Sequence, residues 1–473
     1  MPSQKLVLLL MTLPMASAGC ASVEPGYAEA ATRAEAALPD RPDQWQSAAD
    51  SVRGEPIGWI EAFEDPALLA LVKEAQEKNN DLAAAAAAVD RARALARLAG
   101  AELSPQLDLV AGAENSGVVD GDDSSAYSVG LELTWEADVW GRIRSGKQAE
   151  TANFEATQAD FRFAQYALAA NVATSYLLAI EAVRQENITQ GVVNALAETS
   201  RIVDVRFDNG LSSAQDRALA RSELATAQDQ LEDIKGAVRD AFRALEVLIG
   251  RYPSADLDLR EDLPVLPSLP ASGIPSELLE RRPDIIAAER RIAASVDALD
   301  AAEAAKLPRF SLTTSFGGAS EDLGDIFDPE NLAWSVVSNL AAPLFDGGRL
   351  DSQVDIESAD LEEAVAEYAQ AALEAFSEVE TALDQSSVLL RRQKVLQTAE
   401  SEAAEAYRLA RLSYQTGETD LIDVLTIQQT LFDAQSNRLS VERALRENHV
   451  SLSLALGGDW RTDDEGATAE TTS

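Results

Sequence analysis

The chain has 473 residues, with 80 Asp and Glu against 39 Lys and Arg, which makes its formal net charge −41 at pH 7. A surface this acidic repels phosphate, so this protein is not expected to bind nucleic acid. One cysteine, Cys20, and one histidine, His449, nearly exclude disulfide scaffolds, soft-metal sites and a Ser-His-acid triad, and neither an enzyme nor a metal protein is indicated.

The chain begins with the pattern of an export signal. Lys5 is followed by the apolar run Leu6 to Leu13 and then by small residues up to Cys20. This run is too short to span a bilayer. We therefore predict that residues 1–19 are a signal peptide that is removed from the mature protein.

The cysteine after this segment indicates lipid attachment. Ala18-Gly19-Cys20 resembles the lipobox of bacterial lipoproteins, although Ser17 stands where Leu is usual. The expected modification is a diacylglycerol and an N-acyl lipid on Cys20, with residues 20–57 as the lipidated N-terminal segment. By the same resemblance, Ala21 favours the outer membrane. Ordinary cleavage after Ala18, with a spare cysteine, is the alternative.

Helical periodicity dominates the remaining chain. Two proline-free stretches would each form a helix of roughly 100 Å, which is too long for a compact globular domain. No mature segment has eighteen uninterrupted apolar residues, so no membrane-spanning helix is expected. His449 lies on a helical stretch and is predicted to be packed or solvated rather than a ligand. The predicted helices are Pro66–Gly100, Arg142–Phe207, Ser213–Ile249, Pro275–Ala305, Arg349–Gln415 and Asp420–Leu456.

Two hairpin-sized regions interrupt the helices, and there the apolar period changes from about 3.6 to 2. Apolar residues alternate with polar ones over 127–135, 310–316 and 334–340, and more weakly from Leu107. Loops are predicted at 114–125 and 317–331. Strands of this kind fit a transmembrane β-barrel. Four strands cannot close a barrel, so the protomers would have to associate; a soluble four-stranded sheet is the alternative.

The chain is one motif written twice. Pro105 and Pro308 correspond at an offset of 203 residues, and Gly210 and Gly417 correspond at 207. The change by four indicates one loop of different length. The predicted organisation is a first repeat at 58–250, a proline-rich extended linker at 251–275, a second repeat at 276–460 and a disordered tail at 461–473.

Four motifs carry a resemblance to a known family. They are Gly58–Pro66, Leu279–Ile285, Pro343–Arg349 and Tyr414–Leu431. Together they resemble the TolC family of outer-membrane factors, and more narrowly the NodT- and OprM-type lipoproteins that work with RND pumps. The resemblance implies a mainly α-helical fold with a transmembrane β portion. Three copies would form a twelve-stranded barrel in the outer membrane, continued by an α-helical barrel that crosses the periplasm.

The same resemblance places two helix-turn-helix bends, around Gly210 and Gly417, at the periplasmic tip. Glycine suits these bends because it readily adopts the left-handed conformation that ends a helix. In the family this tip is the closed aperture, to which Asp423 and Tyr414 correspond. Asp216 is a third candidate, although for both aspartates a simple role in the first turn of a helix is the alternative.

Two departures leave the contacts that lock this aperture open to question. Thr426 stands where some family members have a second aspartate, and Thr419 where some have a clamping arginine. A ring of Asp423 carboxylates, one from each copy, would favour cations over anions at low salt.

The resemblance implies the outer-membrane channel of a tripartite RND-type efflux system, lipid-anchored in the outer membrane and extending into the periplasm. It would passively conduct drugs or other toxic compounds as a homotrimer, with a periplasmic adaptor and an inner-membrane RND pump as partners and without a cofactor beyond the lipid on Cys20. A channel of a type I protein secretion system and a non-conducting envelope scaffold are the alternatives.

Overall fold

The computed structural model describes the two repeats and part of the segment before them. Cys20, the predicted signal peptide and the predicted tail lie outside the described residues. The described ranges are 25–38, 42, 44–47, 58–117, 123–270 and 275–458.

The described part of the chain contains nine α-helices, four strands and two single-turn 3-10 helices, Glu61–Phe63 and Leu323–Asp325. The helices are α1 (Pro25–Ala37), α2 (Pro66–Lys78), α3 (Asn80–Ala101), α4 (Arg142–Asp208), α5 (Ala214–Leu248), α6 (Pro275–Arg281), α7 (Pro283–Ala304), α8 (Arg349–Thr416) and α9 (Leu421–Ala455). The strands are β1 (Gln106–Gly117), β2 (Asp123–Ala137), β3 (Arg309–Ser320) and β4 (Leu332–Ala341).

The two long helices are present as predicted. α4 has 67 residues and α8 has 68, and neither contains proline. Each follows a glycine with positive φ, Gly141 at 85° and Gly348 at 88°. A nearby aspartate caps each first turn, since Asp138 accepts a hydrogen bond from the Ile143 amide (3.1 Å) and Asp346 from the Leu350 amide (2.9 Å). The strand-to-helix transition is thus built in the same way in both repeats.

Two predicted helices are wrong as single elements, because each is broken near its start. The stretch 66–100 divides at Asn79, whose backbone is extended; its side chain accepts from the Leu82 amide (2.9 Å) and donates to the Leu248 carbonyl (3.0 Å). The stretch 275–305 divides at Arg282, where Pro283 supplies the first helical residue of α7. An asparagine cap and a proline at N1 both start a new helix.

The four strands form one antiparallel sheet in the order β1-β2-β3-β4. β2 and β3 join the two repeats, with Tyr127 opposite Ser320 and Ala137 opposite Phe310. The predicted loops were too long, because β1 and β2 pair as far as Gly117 opposite Asp123 and β3 continues to Ser320. β1 and β4 are the edge strands, and the described side chains along both are exposed.

The helices pack side by side in a fixed order. Near the sheet, α4 lies between α3 and α7, and α7 packs on α8; further away, α4 packs on both α5 and α9, and α9 packs on α8. The largest apolar core joins α2, α4, α5 and α9 around Phe63, Tyr176 and Leu245. On the side of this core away from the sheet, the chain consists of two helical hairpins, α4–α5 and α8–α9. We call these two hairpins the lower coils.

One described helix, α4, contains an 18-residue window that is apolar enough to cross a membrane by composition, although no such helix was expected. More than half of that window (56%) is buried. It includes Tyr176, Leu177 and Ile180, which belong to the apolar core of the helical body. Its apolar character is therefore explained by packing within the chain.

In the structure, equivalent elements of the two repeats begin at the same offsets as the repeated sequence motifs. α3 and α7 have 22 residues each, and β1 and β3 have 12 each, at the offset of 203. α5 and α9 have 35 residues each at the offset of 207. The difference of four arises between the ends of β1 and β3 and the starts of α4 and α8. Residues of the lower coils that differ by 207 are thus structural equivalents.

Candidate functional site

Both helical hairpins reverse direction at the end of the coils opposite the sheet. α4 ends in a Schellman-type arrangement, in which the Leu211 amide donates to the Arg206 carbonyl (2.8 Å) and Gly210 has φ 72°. α8 ends in the same way at Gly417, with φ 84°, and the Glu418 amide donates to the Ser413 carbonyl (2.9 Å). Only glycine adopts these values without strain, so both predicted glycines lie at the bends.

Asp216 caps the second helix of the first hairpin. Its carboxylate accepts from the Ser213 amide (2.9 Å) and the Ser212 hydroxyl (3.0 Å), while the Ser213 hydroxyl accepts from the Asp216 amide (3.0 Å). These bonds form a capping box. The hydrogen bond from the Ser213 amide is the main reason that the pKa of Asp216 is lowered. The carboxylate therefore stays ionised at neutral pH and fixes the start of α5.

Asp423 lies in the first turn of α9 and is exposed. Its carboxylate accepts a hydrogen bond from the Thr419 hydroxyl at 3.1 Å. It is therefore less firmly held than Asp216, with one bond from a side chain on its own loop. Thr419, at the end of the loop before α9, supplies that bond.

Tyr414 is buried between the two hairpins, with 7% of its surface exposed. The Arg206 guanidinium lies 4.9 Å from the centre of its ring, and Arg206 Nη1 donates to the Tyr414 carbonyl at 2.8 Å. Burial raises the pKa of Tyr414, against the opposing charge of Arg206 and a hydrogen bond with Ser212. The phenol therefore stays neutral.

Arg206 is the residue at the tip that the sequence interpretation missed. It joins α4 to the end of α8 through a cation–π contact and a hydrogen bond. Its charge also acts on Asp216 and on Tyr414. Arg206 was visible beside the glycine bend, but only the fold, which brings the end of α4 next to the end of α8, shows that it covers Tyr414.

An apolar cluster packs next to these polar contacts, on the side nearer the sheet. It joins residues of both hairpins, so the two bends are held as one unit. Its buried members are Val203, Ala220, Ala410, Tyr414, Leu421 and Val424. The structure thus brings Tyr414 and Asp216 together around Arg206 and Ser212, and leaves Asp423 apart with Thr419.

The described architecture defines a class of protein. A rod of roughly 100 Å made of paired coils carries a four-stranded, open-edged sheet at one end and a double helix-turn tip at the other. This is the architecture of an outer-membrane channel subunit.

The comparisons with known proteins identify the family. The family model described as outer membrane efflux protein matches residues 71–251 and 274–458. The chain belongs to this family, which is not enzymatic, and it is an outer-membrane channel component of an efflux system.

Individual relatives match along almost their whole length. The chain is 32% identical to the pyoverdine export outer membrane protein OpmQ of Pseudomonas putida, covering 89% of this chain and 93% of the relative. It is 32% identical to the outer membrane protein OprJ of Pseudomonas aeruginosa, covering 90% and 91%. The solved structure of the outer-membrane channel OprN matches with a TM-score of 0.81 at 30% identity, covering 89% of this chain and 99% of that one.

Proposed function

We propose that this protein is the homotrimeric, lipid-anchored outer-membrane channel of a tripartite RND-type efflux system. It passively conducts drugs or other toxic compounds from the periplasm to the exterior. The observation that carries the proposal is the sheet, which has two exposed edge strands at the end of a long helical rod. Three such sheets make a barrel of twelve strands with the rods beneath it.

The edges of the sheet explain why the copies associate, and the number three is what the family resemblance implies. Unpaired backbone amides and carbonyls at β1 and β4 would each cost several kcal/mol in lipid. Pairing β4 of one copy with β1 of the next removes every edge at once. Leu109, Trp334, Val336 and Leu340 on these strands are exposed in the single chain, which suits a surface that faces lipid or a neighbouring copy.

The proposed system has two further protein components. An inner-membrane pump supplies the energy, since this chain is proposed to conduct passively. A periplasmic adaptor meets the helical tip. A lipid on Cys20 adds a second attachment to the outer membrane beside the barrel.

Deletion of the gene tests the class of cargo. We expect the deletion strain to become more susceptible to drugs and organic toxins, because the pump has no exit through the outer membrane, and complementation restores resistance. The measurement is the minimal inhibitory concentration of a compound panel, with the secreted proteome as the control. Unchanged susceptibility together with loss of an exported protein would instead support a type I secretion channel.

The contacts between Arg206 and Tyr414 at the tip lead to a second prediction. We expect Arg206→Ala to raise channel opening in a planar bilayer at least tenfold, since a cation–π contact and a hydrogen bond from a charged group together are worth roughly 2 kcal/mol or more. Arg201→Ala is the matched control, because Arg201 lies on the same helix but, among the described residues, forms only an exposed ion pair with Glu198. Equal conductance of both variants and the wild type would remove Arg206 from the proposed closure of the aperture.

A further inference from the structure

The two hairpins of one chain meet along a partly polar seam between α4 and α9. Gln185 Nε2 donates to the Ser436 hydroxyl at 2.9 Å. One turn nearer the sheet, Glu181 and Arg443 form an ion pair at 2.5 Å, and both side chains are mostly buried. This seam shows how the long helix of one repeat contacts the returning helix of the other.

The internal repeat gives the equivalent positions on the outer sides of the hairpins. α8 is the equivalent of α4, and α5 is the equivalent of α9, both at the offset of 207 with matching lengths. Gln185 therefore corresponds to Arg392, and Ser436 corresponds to Asp229. The neutral hydrogen-bonding pair of the internal seam is replaced by a pair of opposite charges.

These two charges lie on surfaces that the single chain leaves uncovered. Arg392 and Asp229 are both exposed, and neither has an ion-pair partner within the part of the chain that the structure describes. Val395 is 68% exposed, whereas its equivalent on α4, Ile188, packs against the main core. The outer side of α8 is thus equivalent to the side of α4 that packs on α9, but no described helix of the same chain covers it.

We infer that α8 of one copy packs on α5 of the next copy as α4 packs on α9 within the chain, with Arg392 paired to Asp229 across each subunit boundary. The inference rests on the proposed trimer. The helix order α5-α4-α9-α8 leaves only α5 and α8 at the outer sides of the lower coils. A closed ring of identical copies must therefore join these two helices.

The pair acts on register more than on stability. An ion pair at this kind of exposed position contributes little free energy, because water and salt screen it. Opposite charges still favour one alignment of two antiparallel helices and disfavour alignments that bring like charges together. In a chain of net charge −41, an arginine without an acidic neighbour is well suited to mark the place where an acidic helix docks.

Cysteine crosslinking of the full-length protein tests the inference. We expect Asp229→Cys combined with Arg392→Cys to give covalent dimers and trimers with a short bifunctional thiol reagent. Gln185→Cys combined with Ser436→Cys is the matched internal pair and should lose two free thiols without forming larger species. Asp240→Cys combined with Arg392→Cys is the control for register, since Asp240 lies about 16 Å further along α5.

The outcomes separate the inference from the proposed function. Covalent trimers at least fivefold more abundant for the Asp229 pair than for the Asp240 pair support the seam. Trimers on a native gel without this difference overturn the inference and leave the proposed function intact. Absence of a trimer from the unmodified protein overturns both. As a second measurement, either Asp229→Arg or Arg392→Asp alone should reduce the trimer, because it places like charges opposite each other at every subunit boundary. The two substitutions together should restore the trimer, whereas Arg391→Asp should have no effect.

Discussion

Replacing Arg282 with methionine is expected to destabilise the protein by about 3 kcal/mol, near the lower end of the range for removing one partner of a buried ion pair. The Arg282 side chain is 4% exposed and pairs with Asp284 at 2.7 Å and with Glu378 at 2.5 Å. It also donates to the Ala455 carbonyl at 3.1 Å. Burial alone would lower the pKa of Arg282, but the two carboxylates outweigh burial and raise it.

Two features keep the expected loss below its maximum. The Glu378 and Asp284 side chains are 55% and 27% exposed, so water can solvate them after the arginine is removed. Methionine also retains much of the apolar stem. The Ala455 carbonyl, at the end of α9, loses its donor and accounts for much of the remaining cost.

Thermal unfolding in detergent measures this effect. Arg281→Met is the matched control, because Arg281 is 61% exposed and its one ion pair in the part of the chain that the structure describes is with Glu277, at 3.4 Å and four residues away on the same helix. We expect the control to lose less than about 1 kcal/mol. If both variants lowered the melting temperature equally, the contacts of Arg282 with Glu378 on α8 and with the Ala455 carbonyl of α9 would not stabilise the protein.

Each repeat contains one polar side chain that ties the start of the repeat to the end of its returning helix, and in the second repeat this side chain is Arg282. Asn79 is its equivalent at the offset of 203, and each residue lies where two helices join. Asn79 donates to the Leu248 carbonyl at the end of α5, and Arg282 donates to the Ala455 carbonyl at the end of α9. Leu248 and Ala455 are themselves equivalents at 207. Each side chain ties the start of a repeat to the end of its returning helix.

The sequence predicted the elements that depend on local periodicity. The alternation in 127–135 and 334–340 predicted β2 and β4, and the absence of proline predicted the two long helices. The breaks at Asn79 and Arg282 were missed because the apolar pattern continues across both helices. A single cap or proline changes the backbone at one residue without disturbing the period.

The candidate tip was predicted only in part. The glycine bends could be predicted because they depend on backbone conformation, and both have positive φ. A first-turn role of Asp216 was given as an alternative, but its capping box with Ser213 was not predicted, although a serine followed three residues later by an acid is its signature. The Arg206–Tyr414 contact joins positions 208 residues apart, so it depends on how the fold brings the ends of α4 and α8 together, which no local pattern reports.

The only histidine is expected to make the protein sensitive to mild acid. His449 is 3% exposed, its ring contacts Phe63 edge-on at 5.4 Å, and within the described residues its Nδ1 has no hydrogen-bond partner. Burial lowers the pKa of His449 from 6.5 to about 4. The sequence left open whether this residue is packed or solvated, and the structure shows that it is packed.

The direction of the effect follows from the difference in proton binding. Between pH 6.5 and 4 the unfolded chain binds a proton at His449 that the folded chain does not, so acid favours unfolding. The stabilisation is complete above the unfolded pKa and is lost as the pH falls from about 6.5 towards 4. At pH 5 the loss amounts to about 2 kcal/mol for each copy.

His449→Leu should remove this component while leaving an apolar side chain of similar size in the core. The comparison is between the melting temperatures of the two proteins at pH 7.5 and pH 5 in the same detergent. Carboxylates titrate equally in both, so they cancel in the difference between wild type and variant. We expect the wild type to lose more stability than the variant over this interval, because only the wild type must keep an imidazole neutral beside Phe63. Parallel pH profiles would mean that the imidazole is solvated in the assembled protein.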